Sequence, residues 1–169
     1  MRPYLALLAP ALACTPAAQA PHDDTGGAST ACEDSTCAFD QFCHQDMCTP
    51  VDDRSFRLAF EDGLQTGEAS PDRWYAVKVT YDGASCWTDG EQNPVARWDE
   101  ACDVVVDLDT PFLEIALYEG YFDDDYDEEA CWEFTGVDAV VGMIRSGGGI
   151  LEVGDNDQTR LPYTVTPNF

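Results

Sequence analysis

Residues 113–129, LEIALYEGYFDDDYDEE, are the stretch that decides the fold. Their first part, residues 113–118, alternates apolar and polar positions as a half-buried β-strand does. Their second part, residues 119–129, contains seven carboxylates in eleven positions. A strand that leads into such a loop supplies the oxygen ligands that a cation like calcium takes, although solvated loops can have the same composition. The function of the chain depends on which of the two this segment is.

The composition of the whole chain is strongly acidic. Its 169 residues include 8 Lys+Arg and 33 Asp+Glu, which gives a net charge of -25. A hydrophobic fraction of 44% is enough for a packed core, so the chain is not simply an acidic disordered protein. Nucleic acid is excluded as a partner because few cations are present to neutralise phosphates. Docking on anionic lipid through Lys/Arg clusters is disfavoured for the same reason.

The first twenty residues, MRPYLALLAPALACTPAAQA, predict an export signal. Arg2 precedes an apolar run over 4–12 that is too short to span a bilayer. The sequence Ala-Leu-Ala-Cys that ends at Cys14 resembles a bacterial lipobox. This implies cleavage before Cys14, lipid attachment to its sulfur and, because Thr15 follows, an outer-membrane location. The alternative is cleavage after Ala20, which would give a soluble periplasmic or secreted protein without Cys14.

Composition divides the chain into four parts. A lipoprotein signal peptide (1–13) is followed by a flexible tether (14–31) that is rich in Ala, Pro, Gly, Ser and Thr. A four-cysteine module (32–50) comes next, and the main domain covers 51–169. We interpret the module as a stiff spacer.

The four-cysteine module is too small to be held by a hydrophobic core. Two disulfides among its cysteines would have to stabilise it, and their connectivity stays open among three possibilities. Zinc is the alternative, but zinc clusters usually contain C-x2-C pairs and this module has none. The disulfide candidates of the module are Cys32, Cys37, Cys43 and Cys48.

The main domain shows the pattern of an all-β protein. Apolar alternation between turns rich in Gly, Asp, Asn and Pro predicts short strands, and no segment has a helical period over a dozen residues. Seven or eight such strands in about 120 residues predict an antiparallel, eight-stranded β-sandwich. The predicted strands cover 56–60, 75–81, 101–108 and 113–118, with weaker candidates at 137–144, 149–153 and 162–166.

Three cysteines lie in the main domain, and an odd number leaves one unpaired or bonded to another molecule. Cys102 alternates with Val104 and Val106, which predicts a buried thiol. By elimination, we predict a bridge between Cys86 and Cys131.

Residues 56–142 resemble a C2 domain, a family of β-sandwiches known for calcium-dependent lipid binding. Four segments carry the resemblance in the family's order. Residues 70–79, SPDRWYAVKV, are similar to the family's S-D-P-Y-V-K-V, and residues 93–100, NPVARWDE, to its N-P-x-W-N-E. Residues 113–118 are similar to the strand before the calcium loop, and the segment from Glu119 to Asp127 follows the D-x-D-x5-D spacing.

The resemblance also implies which residues hold the ion. It places Glu119, Asp127 and Asp72 at three of the family's five ligand positions. Tyr121 stands at a fourth position and has no carboxylate, and the fifth falls near Thr66. For the two positions without a carboxylate, neighbouring aspartates of the 119–129 loop are the candidate ligands. The predicted calcium site therefore consists of Asp72, Glu119, Asp123, Asp125 and Asp127.

In such a sandwich, the loops around 61–72, 87–98 and 119–129 gather at one end. Their carboxylates would repel one another by up to about 1 kcal/mol per close pair even in water, and a calcium ion would relieve this repulsion. A mobile acidic loop that keeps the protein soluble is the alternative.

The residue types of the main domain argue against catalysis. It contains no His and a single lysine, Lys78, which removes Ser-His-Asp, Cys-His and His-zinc schemes. We expect a non-catalytic, lipid-anchored binding module of the cell envelope with calcium as its candidate cofactor. Its expected partners are the membrane and an envelope or extracellular molecule. The alternatives are a metal-free structural or interaction lipoprotein and, more remotely, a small carboxylate-based glycosidase.

Overall fold

Two antiparallel β-sheets pack face to face in the structure, a computed structural model. It describes residues 14–16, 36–60, 64, 66, 73–88, 91–92, 101–120, 127–153 and 159–169. Its elements are β1 (Thr15–Pro16), β2 (Gln41–His44), β3 (Met47–Pro50), β4 (Ser55–Phe60), β5 (Trp74–Tyr81), β6 (Ala84–Trp87), β7 (Glu91–Gln92), β8 (Ala101–Val105), β9 (Phe112–Gly120), β10 (Asp127–Thr135), α1 (Val137–Ser146), β11 (Gly148–Val153) and β12 (Thr159–Pro167).

The strands form two layers and a small hairpin. The first sheet has the order β1-β10-β9-β5-β6, and β7 also pairs with β5. The second sheet has the order β11-β12-β4-β8, and β2 pairs with β3 alone. Among the described pairs, that of β1 with β10 is parallel and the others are antiparallel. The predicted all-β antiparallel sandwich is confirmed, with its eight strands being β4–β6 and β8–β12.

The core lies between the two sheets and is filled by alternate residues of each strand. In β4, Phe56, Leu58 and Phe60 are buried, whereas the residues between them are exposed or half-buried. Ile115 and Leu117 of β9 belong to the same buried cluster. Each such side chain contributes about 1.5–3 kcal/mol when it leaves water. The alternation that predicts the strands is therefore also a main source of their stability.

The weak strand predicted at 137–144 is wrong, because this segment belongs to helix α1. Val137, Val141 and Ile144 recur every three or four residues, which is the helical period, and the last two are buried. Gly147 follows the helix in the left-handed conformation with φ 67° and ends it. The β-branched side chains favoured a strand locally, but packing of the periodic face against the sandwich decided the outcome.

Strand β10 begins with acids, which hides it in the sequence. The composition of residues 127–129 predicts a loop, yet they open a nine-residue strand paired with β9. Further along, Ala130, Trp132 and Phe134 alternate into the core. The acidic segment that connects the two strands is consequently limited to residues 121–126, which lie outside the described residues.

The four-cysteine module packs against the sandwich instead of holding it at a distance. The Phe42 side chain is 5% exposed, and its ring centroid lies 5.2 Å from that of Phe56 and 6.1 Å from that of Phe169. Arg145 Nη1 also donates a hydrogen bond to the carbonyl oxygen of Phe39 at 3.4 Å. An aromatic contact of this kind makes the module part of the domain's core.

The module is held by disulfides, as predicted. Cys37 is bonded to Cys48, and Cys43 is also in a disulfide. Cys32 lies outside the described residues.

The predicted Cys86–Cys131 bridge and the predicted free thiol at Cys102 are both wrong. Cys86 is bonded to Cys102, which joins β6 of the first sheet to β8 of the second, and Cys131 is bonded to Cys14. Cys86 packs against the core, whereas Cys131 lies on the outer face of the first sheet, next to the inward-facing Trp132. The two sulfurs therefore lie on opposite sides of one sheet. The count by elimination failed because it left Cys14 out of the pairing, as a residue that is either lipidated or removed with the signal.

Phe42→Ala is expected to destabilise the whole chain by about 3 kcal/mol, since it removes a buried ring from a shared core. Urea unfolding followed by tryptophan fluorescence measures the loss, because all four tryptophans lie in the main domain. Phe39→Ala is the matched control, as Phe39 is 50% exposed and should cost about 0.5 kcal/mol or less. Equal effects of the two substitutions would show that the module does not stabilise the sandwich.

Candidate functional site

One end of the sandwich collects the strand ends that carry the predicted ligands. Tyr75, Glu119 and Asp127 lie side by side across β5, β9 and β10, because Glu119 pairs with both of the others. Strand β7 joins this row, with Glu91 paired to Tyr75. The ends of strands β5, β7, β9 and β10 that flank these loops therefore lie together at one end of the first sheet. We call this end of the sandwich, which carries Tyr75, Glu91, Glu119 and Asp127, the acidic end.

A fourth segment that the sequence did not point to leaves from the acidic end. Strands β11 and β12 are joined there, since Val153 pairs with Thr159 and Tyr163 pairs with Phe60 at the end of β4. The connection, residues 154–158 (GDNDQ), contains two further aspartates and lies outside the described residues. In the sequence it has the pattern of an ordinary turn, and only the pairing of β12 with β4 shows from which end of the second sheet it leaves.

Glu119 already has a cationic partner. Its Oε1 lies 2.9 Å from Nε of Arg73, and the Glu119 side chain is only 13% exposed. Arg73 directly follows Asp72 in the chain and precedes β5. A metal ion that uses Glu119 would therefore have to compete with a guanidinium for this carboxylate. The sequence did not predict this ion pair because it depends on the register between β5 and β9.

Tyr75 lies beneath this ion pair and is fully buried. Its hydroxyl is 3.3 Å from Oγ1 of Thr66, the residue near the family's fifth ligand position. Burial raises the pKa of Tyr75, and the negative charges of Glu119 and Glu129 raise it further, while the Thr66 hydrogen bond and Arg73 act in the opposite direction. The acidic end thus has an inner layer in which three strands and the 61–72 segment meet.

The five predicted calcium ligands fall into two groups. Glu119 and Asp127 are direct cross-strand partners near the two ends of the acidic 121–126 segment, with Asp127 exposed. Asp72, Asp123 and Asp125 lie outside the described residues. The structure therefore brings two of the five together.

Within the described residues, one group of three potential metal ligands lies close together, and it is elsewhere. A sulfur of Cys14, a sulfur of Cys131 and a carboxylate oxygen of Glu114 are all within 4.8 Å of one another. Both sulfurs are bonded in a disulfide and have no thiolate to offer. Calcium also takes oxygen ligands and not sulfur. This group is therefore a bridge with a carboxylate beside it and not a metal centre.

Cys14, the predicted lipidation site, is bonded through its sulfur to Cys131. A sulfur in a disulfide cannot also form a thioether, so lipid attachment and this bridge exclude each other in any one molecule. Lipid attachment stays a prediction. Among the described residues, no helix is long and apolar enough to cross a bilayer.

An aromatic cluster on the outer face of the first sheet was not expected from the sequence. Trp87 is 47% exposed, and its ring centroid lies 4.8 Å from that of Tyr118. Nζ of Lys78 lies 5.5 Å from the Trp87 ring, and the Tyr118 hydroxyl donates to Oε2 of Glu128 at 3.4 Å. The cluster forms because β6 and β9 flank β5, a neighbour relationship that local sequence does not reveal.

Several solved structures are similar to this chain in fold. A C2 domain of plant extended synaptotagmin 1 has a TM-score of 0.47 and 16% identity, over 70% of this chain and 98% of that domain. A C2 domain-containing protein has a TM-score of 0.44 and 12% identity, over 68% of this chain and 90% of that one. Human GIVD cytosolic phospholipase A2 has a TM-score of 0.40 and 12% identity, over 66% of this chain and 16% of that protein.

No protein-family model and no curated protein sequence matches the chain. C2 domains are similar to it in fold as well as in sequence pattern. This similarity concerns the backbone fold alone and does not show that the chain binds calcium, lipid or a partner.

Glu119→Gln is expected to lower the pKa of Tyr75, because it removes a negative charge beside the phenol while Arg73 keeps its positive charge. Tyrosinate absorbance during alkaline titration measures this, with Tyr75→Phe identifying the signal of Tyr75. Glu152→Gln is the control, as Glu152 pairs with Arg160 on the second sheet. An unchanged pKa of Tyr75 in Glu119→Gln would contradict the arrangement.

The same shift makes stability depend on alkaline pH. Because the folded pKa of Tyr75 lies above the unfolded value of about 10, the folded state keeps the phenol proton longer than the unfolded state. The free energy of unfolding therefore falls as pH rises from the unfolded value through the folded one. Tyr75→Phe should flatten this fall in urea titrations at increasing pH.

Proposed function

We propose that the protein is an exported, non-catalytic binding module of the cell envelope whose acidic end binds calcium. The observation that supports this most is the pairing of Glu119 with Asp127 near the two ends of the 121–126 segment. That segment contains three aspartates, and the segments 61–72 and 154–158 leave from the same end of the sandwich. Membrane attachment through Cys14 is a separate prediction and is not needed for this function.

Calcium suits such a set of groups chemically. It takes six to eight oxygen ligands at about 2.3–2.6 Å in forgiving geometry, and loops from several strands can supply them. Its charge would offset the repulsion among carboxylates in a chain with a net charge of -25. The expected dissociation constant is in the range of extracellular modules, about 10⁻⁴–10⁻³ M, since Arg73 competes for Glu119 and Tyr121 offers no carboxylate.

The second candidate is a metal-free interaction module of the same fold. The Arg73–Glu119 ion pair favours it, because this pair neutralises one predicted ligand without any metal. The exposed Trp87 beside Tyr118 supports a partner surface that needs no calcium. The two candidates differ in whether calcium stabilises the folded chain.

A catalytic role has less support at this end. The His44 side chain packs against Phe169, which follows β12 in the chain. The end of β12 pairs with Phe56 at the start of β4. That places the imidazole at the end of the sandwich opposite to the acidic end. A glycosidase using two carboxylates stays the remote alternative.

Calcium at about 10 mM is expected to raise the melting temperature of the full chain relative to chelator. With a dissociation constant of about 1 mM, the gain is about 1.4 kcal/mol, or roughly 3–6 °C for a chain of this size. Asp127→Lys combined with Asp125→Lys should abolish the shift. Asp109→Lys, an exposed reversal between β8 and β9, should keep it. If 10 mM calcium does not raise the melting temperature of the wild-type chain, the calcium proposal is wrong and the metal-free candidate is supported.

Arg73→Gln is expected to tighten calcium binding several-fold, because it frees Glu119 from its ion pair. Isothermal titration calorimetry with calcium chloride compares it with the wild type. Arg160→Gln is the control, since Arg160 pairs with Glu152 away from the acidic end. Unchanged or weaker binding in Arg73→Gln would mean that Glu119 is not a ligand.

A further inference from the structure

We propose that Cys14 stays in the mature protein as the disulfide partner of Cys131, so that its sulfur is not the attachment point of a lipid. Forming the bridge joins two thiols and transfers two protons and two electrons to the thiol oxidant of an exported compartment. The proposal is independent of calcium. It concerns how the chain is processed and whether it is released or anchored.

The first argument is the burial of Cys131 on an outward face. Cys131 and Ala116 are cross-strand partners that point away from the core, yet they are 3% and 0% exposed. Side chains on the outer face of a sheet normally meet water unless something covers them. The bridge brings Cys14 onto this face, so a chain without Cys14 would lose part of that cover.

The second argument is the pairing that accompanies the bridge. Thr15 and Pro16 form β1, which pairs in parallel with Trp132 and Glu133 of β10. Among the described strands, β10 would otherwise be an edge of the first sheet, with unpaired backbone groups. The bridge also closes a sequence separation of 117 residues, and closing a long loop strongly restricts the unfolded chain. Residues 14–16 therefore act as part of the domain and not as the start of a free tether.

The third argument is the number of cysteines. The chain has eight, and those that the structure describes are all in disulfides. Lipid attachment to Cys14, or cleavage after Ala20, would leave seven for pairing. An exported protein with an odd cysteine carries a reactive thiol or an intermolecular bond. Of the three fates of Cys14, the bridge to Cys131 is the one that leaves an even number of cysteines for pairing.

Glu114 is placed to protect this bridge. Its Oε2 lies 3.7 Å from the sulfur of Cys14. A negative charge at this distance repels an attacking thiolate and makes a thiolate leaving group less stable, and both effects slow thiol–disulfide exchange. The carboxylate thus fits a permanent structural disulfide better than a transient one.

The experiment is the mass and thiol content of the full chain, exported by a Gram-negative host and purified without reductant. We expect no thiol reactive in denaturant and a linked pair of peptides containing Cys14 and Cys131. Three results would overturn the proposal: a diacylglyceryl group on Cys14, an N-terminus at Pro21, or one free thiol in the wild-type chain. These measurements need no variant and do not depend on calcium binding.

Two variants, each of which removes one cysteine of the bridge, test the pairing directly. Cys14→Ser should expose one thiol, at Cys131, and Cys131→Ser should expose one thiol, at Cys14. If lipid were attached to Cys14, Cys131→Ser would expose none and the protein would stay in the membrane fraction. Cys86→Ser is the control for a different bridge and should expose Cys102 alone.

Glu114→Gln tests the protection of the bridge. Dithiothreitol should reduce Cys14–Cys131 several-fold faster in this variant than in the wild type, and more so at low salt. The Cys86–Cys102 bridge in the same molecule is the internal control and should be reduced at an unchanged rate. If dithiothreitol reduces Cys14–Cys131 at the same rate in Glu114→Gln and in the wild type, Glu114 does not protect the bridge.

Discussion

The register of β9 between β5 and β10 is the constraint on which the rest of the structure depends. Side chains alternate with a period of two along a strand, so a shift of one residue would turn every side chain to the other face. The observed register puts Ile115 and Leu117 in the core. It also puts Glu119 between Tyr75 and Asp127 at one end. The packed core and the acidic end are thus two results of one pairing pattern.

At the acidic end, part of the negative charge is neutralised by a side chain of the protein itself. Arg73 neutralises Glu119, and beneath this pair a buried phenol keeps its proton. Asp127 points to solvent, where salt screens it. The carboxylate of Glu119 is therefore already partnered within the fold, whereas that of Asp127 is exposed.

Contacts between distant parts of the chain hold the sandwich together beyond its core. Cys86–Cys102 ties the two sheets to each other, and Cys14–Cys131 ties the N-terminal segment to β10. Phe42 brings the four-cysteine module onto Phe56. Disulfides of this number are typical of small exported domains, whose cores alone give modest stability. The four-cysteine module and residues 14–16 therefore both make direct contact with the sandwich.

The sequence by itself determined the fold class, the strands β4, β5, β8, β9, β11 and β12, the acidic charge and the presence of disulfides. Alternation is a local pattern, so it can be read wherever one face of a strand is buried. Only the tertiary structure decided that 137–144 is a helix, that acids open β10, and which sulfurs meet. It also placed Arg73 on Glu119 and showed that 154–158 leaves the second sheet at the end where β4 ends. The physical reason is that these features depend on which faces and strand ends become neighbours in space, and sequence spacing does not encode that neighbourhood.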